Sequence, residues 1–149
     1  MGKLCVIKIR SSLKKSGGVQ TVIKNLGLNK LYSCVLIDDT PANIGMLKVA
    51  DNILTYGEID KEMLKKLLVK RAMTSIRKKY TVQNSEYEIV ADKLMSSTAK
   101  LADMGIRRVF HLHPPYGGFE RNGKKTPFSL KGVFGYRGTE INKLLVRMA

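Results

Sequence analysis

For its length, this chain is short of acid. Twelve Asp and Glu stand against twenty-seven Lys and Arg in 149 residues, a formal net charge of +15 at pH 7. That excess goes beyond what solubility needs and implies a polyanionic partner, nucleic acid first and an anionic membrane second. Tryptophan is absent. A membrane-surface reader concentrates its charge on one amphipathic helix with large anchors such as Trp opposite, whereas the charge here is spread along the chain, so no membrane partner is expected. Cysteine occurs only as Cys5 and Cys34, each inside an apolar strand-like run and without CxxC spacing. The pair reads as small core residues in a cytosolic protein, not as a disulfide framework or a metal set. No apolar run approaches the length of a membrane span, and the lysine-broken start MGKLCVIKIR is too short for the apolar region of a signal peptide. At 44% hydrophobic, the chain can still bury a sizeable core.

Proline is also scarce, and three of its four occurrences fall in one stretch, His113 to Gly138. That stretch holds six of the thirteen glycines and five of the ten aromatic residues, with Glu120 its only carboxylate. It shows no hydrophobic periodicity, and a long segment of this kind is functional or disordered. Arg121, Lys124, Lys125, Lys131 and Arg137 are suited to phosphates. Tyr116, Phe119, Phe128, Phe134 and Tyr136 offer flat faces to bases, and glycine lets the backbone come close. The composition points to RNA; the plainer alternative is a loop whose aromatics fold back on the domain. Charge rises along the chain, from +3 over residues 1–60 to +5 over 61–104 and +7 over 105–149.

The patterning predicts an α+β fold. Leu4–Arg10 alternates as a half-buried strand, with Cys5, Ile7 and Ile9 on one face and Val6, Lys8 and Arg10 on an outward, basic one. After the polar SSLKKSGG turn, Val19, Val22, Ile23 and Leu26 recur at helical spacing and Gly27 suits the C-terminal cap. Residues 31–38 form a second apolar run. Thr40-Pro41 opens a short helix through Ile44 and Leu47, and residues 52–58 read as a third strand. This is a small β-α-β-α-β sheet with helices on one face. Beyond Asp60, an expected N-cap, Met63, Leu64, Leu67, Leu68 and Ile76 mark a basic amphipathic helix. A capping box at Ser85-Glu86-Tyr87-Glu88 opens another helix, through Ile89, Val90, Leu94, Met95 and Leu101. Residues 106–112 suggest a short strand entered past Arg107 and Arg108. The glycine-rich loop follows, and Thr139 caps a last helix carrying Ile141, Leu144, Leu145 and Met148. There is no internal repeat, transit segment or long linker.

Enzyme signals are weak. Asp38, Asp39, Glu58 and Asp60 could be imagined as metal-binding carboxylates, but strand-end acids beside helix N-termini ordinarily serve as turn and cap residues. His111 and His113 fall short of a zinc set, and His113 suits an RNA edge or loop packing better. Gly17-Gly18 lacks P-loop and GxGxxG spacing, although the helix N-terminus there suits a phosphate. Lys8, Arg10, Lys14 and Lys15, beside Ser11, Ser12, Ser16 and Gln20, make a backbone-binding edge. Lys65, Lys66, Lys70, Arg71, Arg77, Lys78 and Lys79 read first as a solvated charge face. The signatures of RNA-recognition motifs, KH modules and zinc fingers are missing. Two rivals to an RNA-bound structural protein remain: a free-standing nucleic-acid-binding regulator and a metal-dependent nuclease.

The run VIKIRSS, then VQTVIKNLGLNKLYSCVLIDDTPANIGMLKVADNILTYGEI, with Leu26-Gly27-Leu28, Asp39-Thr40-Pro41 and Gly45-Met46-Leu47, resembles the large-subunit ribosomal protein family called number thirty in bacteria and archaea and number seven in eukaryotes. The later LHPPYGGF, KKTPFSLKG and GYRG segments look like its longer archaeal members, so the resemblance covers essentially the whole chain. The lack of a long basic N-terminal extension favours an archaeal over a eukaryotic member, and the SSLKKSGG loop departs from the bacterial pattern. The resemblance implies a ferredoxin-like core module over residues 1–59 and an archaeal/eukaryotic-type extension over 60–149, made of two helices, a basic loop at 111–138 and a C-terminal helix. It implies a structural constituent of the large ribosomal subunit, present once per ribosome and cytoplasmic. The implied partners are ribosomal RNA and neighbouring ribosomal proteins, with no catalysis, cofactor or small-molecule substrate. Carried onto this sequence, it places Lys8, Arg10, Ser11, Ser12, Lys14, Lys15, Gln20 and Thr21 at the RNA. It also implies that Arg121, Lys124, Lys125, Lys131, Tyr136 and Arg137 thread between RNA helices on a tail disordered in the free protein. Arg107, Arg108, His113 and Tyr116 complete the expected RNA-binding set.

Overall fold

In the computed structural model, strand β1 (Lys3–Lys8) lies at the centre of a five-stranded sheet of order β4-β2-β1-β3-β5. The structure describes residues 2–74, 78–81, 84–96, 101–120 and 122–149, with Asn84 and Ser85 as backbone only. The expectations for Ile76, Arg77, Arg121 and the Ser85 capping side chain lie outside these residues.

Both neighbours of β1, β2 (Ser33–Asp38) and β3 (Leu54–Glu58), run antiparallel to it. β4 (Val109–His111) adds antiparallel to β2, and β5 (Gly135–Tyr136) adds parallel to β3. Strands from the second half of the chain therefore close both edges, which leaves fewer unpaired backbone groups at the borders.

Two helix layers bury the two faces. α1 (Gly17–Leu26) and α2 (Pro41–Val49) cover Leu4, Val6, Val35 and Leu54, the one-sided helix layer expected from the sequence. α3 (Lys61–Arg71), α4 (Asn84–Met95) and α5 (Ile141–Met148) cover Cys5, Ile7, Cys34 and Phe110 on the other. This second layer corrects the reading of β1 as half-exposed. Val6 is fully buried and Lys8 is only 3% exposed, because both sides of the strand are roofed.

Local chemistry explains most element ends. Gly27 adopts φ +75° and closes α1, its N–H and that of Leu28 returning to Lys24 and Ile23 carbonyls. Pro41 starts α2, where Thr40 Oγ1 accepts from the Asn43 N–H at 3.3 Å. Two expected caps are absent. Asp60 makes no side-chain cap; Asn142 instead accepts from the Asp60 N–H at 3.1 Å and donates to the Glu58 carbonyl at 3.1 Å, tying α5 to the entry of α3. Thr139 sits in a 3-10 turn, and α5 has no side-chain cap. Ile89 faces solvent, and Leu101 belongs to a separate 3-10 turn and not to α4.

The glycine-rich segment is where expectation and structure part most. It is no free arm: β5 hydrogen-bonds along β3, Val133 is fully buried, and Arg137 N–H donates to the Tyr56 carbonyl at 2.8 Å. A Cβ built on Gly57 would lie 2.0 Å from the Gly138 carbonyl oxygen, so the closeness of this turn to β3 depends on glycine.

Candidate nucleic-acid interface

The register brings several loops to one end of the sheet. Lys8 stands opposite Leu54, Ser33 opposite His111 and Thr55 opposite Gly135. The chain thus leaves β1 and β4 and enters β2, β3 and β5 at the same end. Loops 9–16, 27–32, 50–53 and 112–134 meet there. Arg10 Nη1 donates to the Asn52 carbonyl at 3.2 Å, and Lys124 Nζ donates to the Tyr32 hydroxyl at 2.8 Å. Asp38, Asp39, Glu58 and Asp60 collect at the opposite end, where Lys3 pairs with Asp38. Charge is therefore polarised along the strands.

Of the first-loop residues, Ser11 and Lys14 are exposed and Arg10, Ser12 and Lys15 half-buried. Ser11 Oγ accepts from the Leu13 N–H at 3.3 Å. Gln20 Nε2 donates to the Lys15 carbonyl at 2.9 Å, and Thr21 donates to the Gly17 carbonyl at 2.9 Å. These contacts shape the loop before α1, whose first turn carries no acid and no side-chain cap, leaving N–H groups free for an anion. Lys8 has a different role from the one expected. Its buried ammonium donates to Ser12 Oγ at 3.2 Å and the Asn29 carbonyl at 3.1 Å, and burial lowers its pKa. It braces two loops from beneath.

From the second loop, Lys125 and Lys131 are exposed, while Lys124 is half-buried, 4.7 Å from the Phe119 ring centre and 5.2 Å from that of Tyr32. Tyr116 is exposed, its ring edge-on to His113 at 4.8 Å, and His113 Nε2 lies 3.3 Å from the Ala149 carbonyl oxygen. Arg137 is corrected as Lys8 is: only 5% exposed, it pairs with Glu120 and stacks 4.5 Å from the Phe128 ring centre. Tyr136 keeps an exposed ring, but its hydroxyl donates to Glu58, which with burial pushes the phenol pKa up to about 12. Arg107 and Arg108 are not brought to this end. They precede β4 at the other end, where Arg108 Nη2 donates to the Asn25 carbonyl at 2.7 Å.

Sequence reasoning missed two exposed leucines here. Leu13 is 81% and Leu130 63% exposed, and each is followed by a lysine in the left-handed region, Lys14 at φ 63° and Lys131 at φ 59°. The signal was the recurrence of Ser-Leu-Lys in two polar stretches. Lys48 and Asp51, at the end of α2 and just beyond it, were missed as well, since nothing in the sequence ties them to the Phe128–Tyr136 segment they face.

Among the described residues no three His, Cys, Asp or Glu side chains gather as a metal set, and no helix is long and apolar enough to cross a membrane. The fold and its charge distribution define a small basic α+β protein whose strand-end acids and basic loops lie at opposite ends of the sheet. The pattern of the family described as Ribosomal protein L30p/L7e matches residues 4–52, from β1 to the turn before β3. The chain is 36% identical to the large ribosomal subunit protein uL30 of Methanococcus maripaludis, across 96% of this chain and 97% of that one. It is 37% identical to the uL30 of Methanopyrus kandleri, across 87% and 93%, and 34% identical to that of Thermofilum pendens, across 99% of each. The chain belongs to the uL30 family of large-subunit ribosomal proteins, and is a structural component of the ribosome, not an enzyme.

Proposed function

We propose that the chain stabilises folded ribosomal RNA of the large subunit by seating the basic end of its sheet on it. The convergence of loops 9–16 and 112–134 at that end, with the strand-end acids at the other, carries this reading. Arg10, Lys14, Lys15, Lys124, Lys125 and Lys131 neutralise phosphates, Ser11 and Ser12 hydrogen-bond the backbone, and the N–H groups of α1 receive a further phosphate. Leu13, Leu130 and Tyr116 fill apolar hollows of the RNA surface. In this reading residues 1–59 form the core module. The extension over 60–149 roofs its second face and adds the second set of phosphate contacts.

The glycine-rich segment binds as a pre-folded loop, not as a tail ordered on arrival. Ordering a free chain costs roughly 1–2 kcal/mol per residue, and the Arg137 clamp and β5 pairing reduce that cost before RNA is met. One copy acts per ribosome, beside neighbouring large-subunit proteins and in the cytoplasm. The test is binding of the full chain to large-subunit ribosomal RNA across a salt series. A steep fall in affinity with salt supports the reading, and binding that ignores salt removes the phosphate contacts from it.

A further inference from the structure

On the α2 side of β3 and β5, next to the basic end, a recess of about 410 Å³ opens between Phe128, Phe134, Tyr136 and the turn after α2. Its walls are largely aromatic: the Tyr136 and Tyr56 ring centres lie 5.7 Å apart, and the buried guanidinium of Arg137 sits 4.5 Å from the Phe128 ring centre and restrains that ring. Lys48 and Asp51 also line it, the Asp51 carboxyl lying against Gly135.

Asp51 is out of place for a phosphate-binding surface. The other acid of these loops, Glu120, is neutralised by Arg137 and Arg147, whereas among the described residues Asp51 has no ion pair. Burial raises its pKa, an effect partly offset by a hydrogen bond with Tyr56. Gly135, at φ +91°, makes room for the carboxylate: a Cβ there would lie 3.3 Å from each of its oxygens. A carboxylate repels phosphate and accepts hydrogen bonds only, so the nucleic-acid group that suits it is a base edge rich in donors. Guanine presents two adjacent donors, N1–H and the N2 amino group, which match the two carboxylate oxygens. Adenine and cytosine present an amino group beside an acceptor, and uracil a single imino donor between acceptors.

We propose that this recess receives one unpaired guanine of the bound RNA, stacked between the aromatic rings and held along its N1 and N2 edge by Asp51, with Lys48 on the adjoining phosphate. The proposal rests on the reading that RNA docks at this end of the sheet.

The test is chemical probing of large-subunit ribosomal RNA with a dicarbonyl reagent that adds across N1 and N2 of unpaired guanine, comparing free RNA, RNA with the full chain, and RNA with Asp51→Asn. The wild type should shield one guanine that the variant leaves roughly tenfold more reactive, the rest of the footprint being the same for both proteins. Lys48→Ala should keep that guanine shielded while weakening binding. Identical footprints for wild type and Asp51→Asn would overturn the guanine site and leave the ribosomal reading standing. No footprint from the wild type would overturn both.

Discussion

Arg137 and Glu120 face each other fork to fork, Nη1 to Oε1 at 2.6 Å and Nη2 to Oε2 at 2.8 Å, and so close the glycine-rich segment into a loop. Arg137 Nε reaches Thr55 Oγ1 at 2.8 Å, and Nη2 also donates to the Val133 carbonyl at 2.9 Å. The clamp therefore bolts the loop to β3. Glu120→Ala leaves a buried guanidinium without its counter-charge and should lower unfolding free energy by about 3 kcal/mol in urea titration. A loss below about 1 kcal/mol would mean that the pair does not hold the loop.

The same pair sets a response to acid. Burial works to raise the Glu120 pKa, but hydrogen bonds from Arg137 and its own backbone, with the charges of Arg137 and Arg147, more than reverse this and hold it below the ordinary carboxylate value. A depressed folded-state pKa means that the unfolded chain binds the proton more readily. This contribution is present above the unfolded pKa and is lost as pH falls through the folded one. Wild type should lose stability between about pH 5 and pH 3 more steeply than Glu120→Gln, as read by urea titrations at each pH.

Lys8 carries the same sign of pH dependence in the alkaline range. Its folded-state pKa lies below the ordinary 10.5, so between the two values the unfolded chain holds more protons and stability rises with pH. The stability of wild type minus that of Lys8→Met should increase as pH is raised from neutral towards 10.5, an effect isolated by the difference because other groups titrate in both proteins. A flat difference would place the ammonium in water.

Gly57→Ala puts a methyl group where the Gly138 carbonyl oxygen already stands. The edge formed by β5 must shift, at a cost of at least about 2 kcal/mol. Gly17→Ala, with open space around it and no positive φ, serves as the control and should stay within about 1 kcal/mol of wild type. Equal thermal unfolding midpoints for the two variants would contradict the close approach.

Replacing Lys124, Lys125 and Lys131 with Ala should flatten the dependence of log K on log salt for ribosomal RNA binding by roughly 0.7–0.9 for each phosphate no longer neutralised. An unchanged slope would take the loop out of the interface.

The legible part of this fold was its locally coded part. Gly27, Thr40-Pro41 and the apolar spacings of α1, α3 and α5 announce themselves within a few residues. What escaped depends on residues far apart in the chain. β5 is two residues long and has no periodicity of its own; it exists because Gly135 and Tyr136 can reach β3. Lys8 reads as outward-facing from alternation alone, and only a roof over both faces of β1 buries it. Arg137 looks like any other cation of a basic loop until Glu120 is seen beside it. The basic character of the candidate interface was visible in composition, but which cations are left unpaired depends on contacts that composition does not encode.

The most direct test of the account is sedimentation of a native cell lysate through sucrose at low and at moderate salt, with fractions probed for this chain. The account predicts that it travels with the large ribosomal subunit under both conditions, and that the Lys124, Lys125 and Lys131 triple alanine variant is released at lower salt than wild type. Wild-type protein running free in the light fractions at every salt concentration would contradict it.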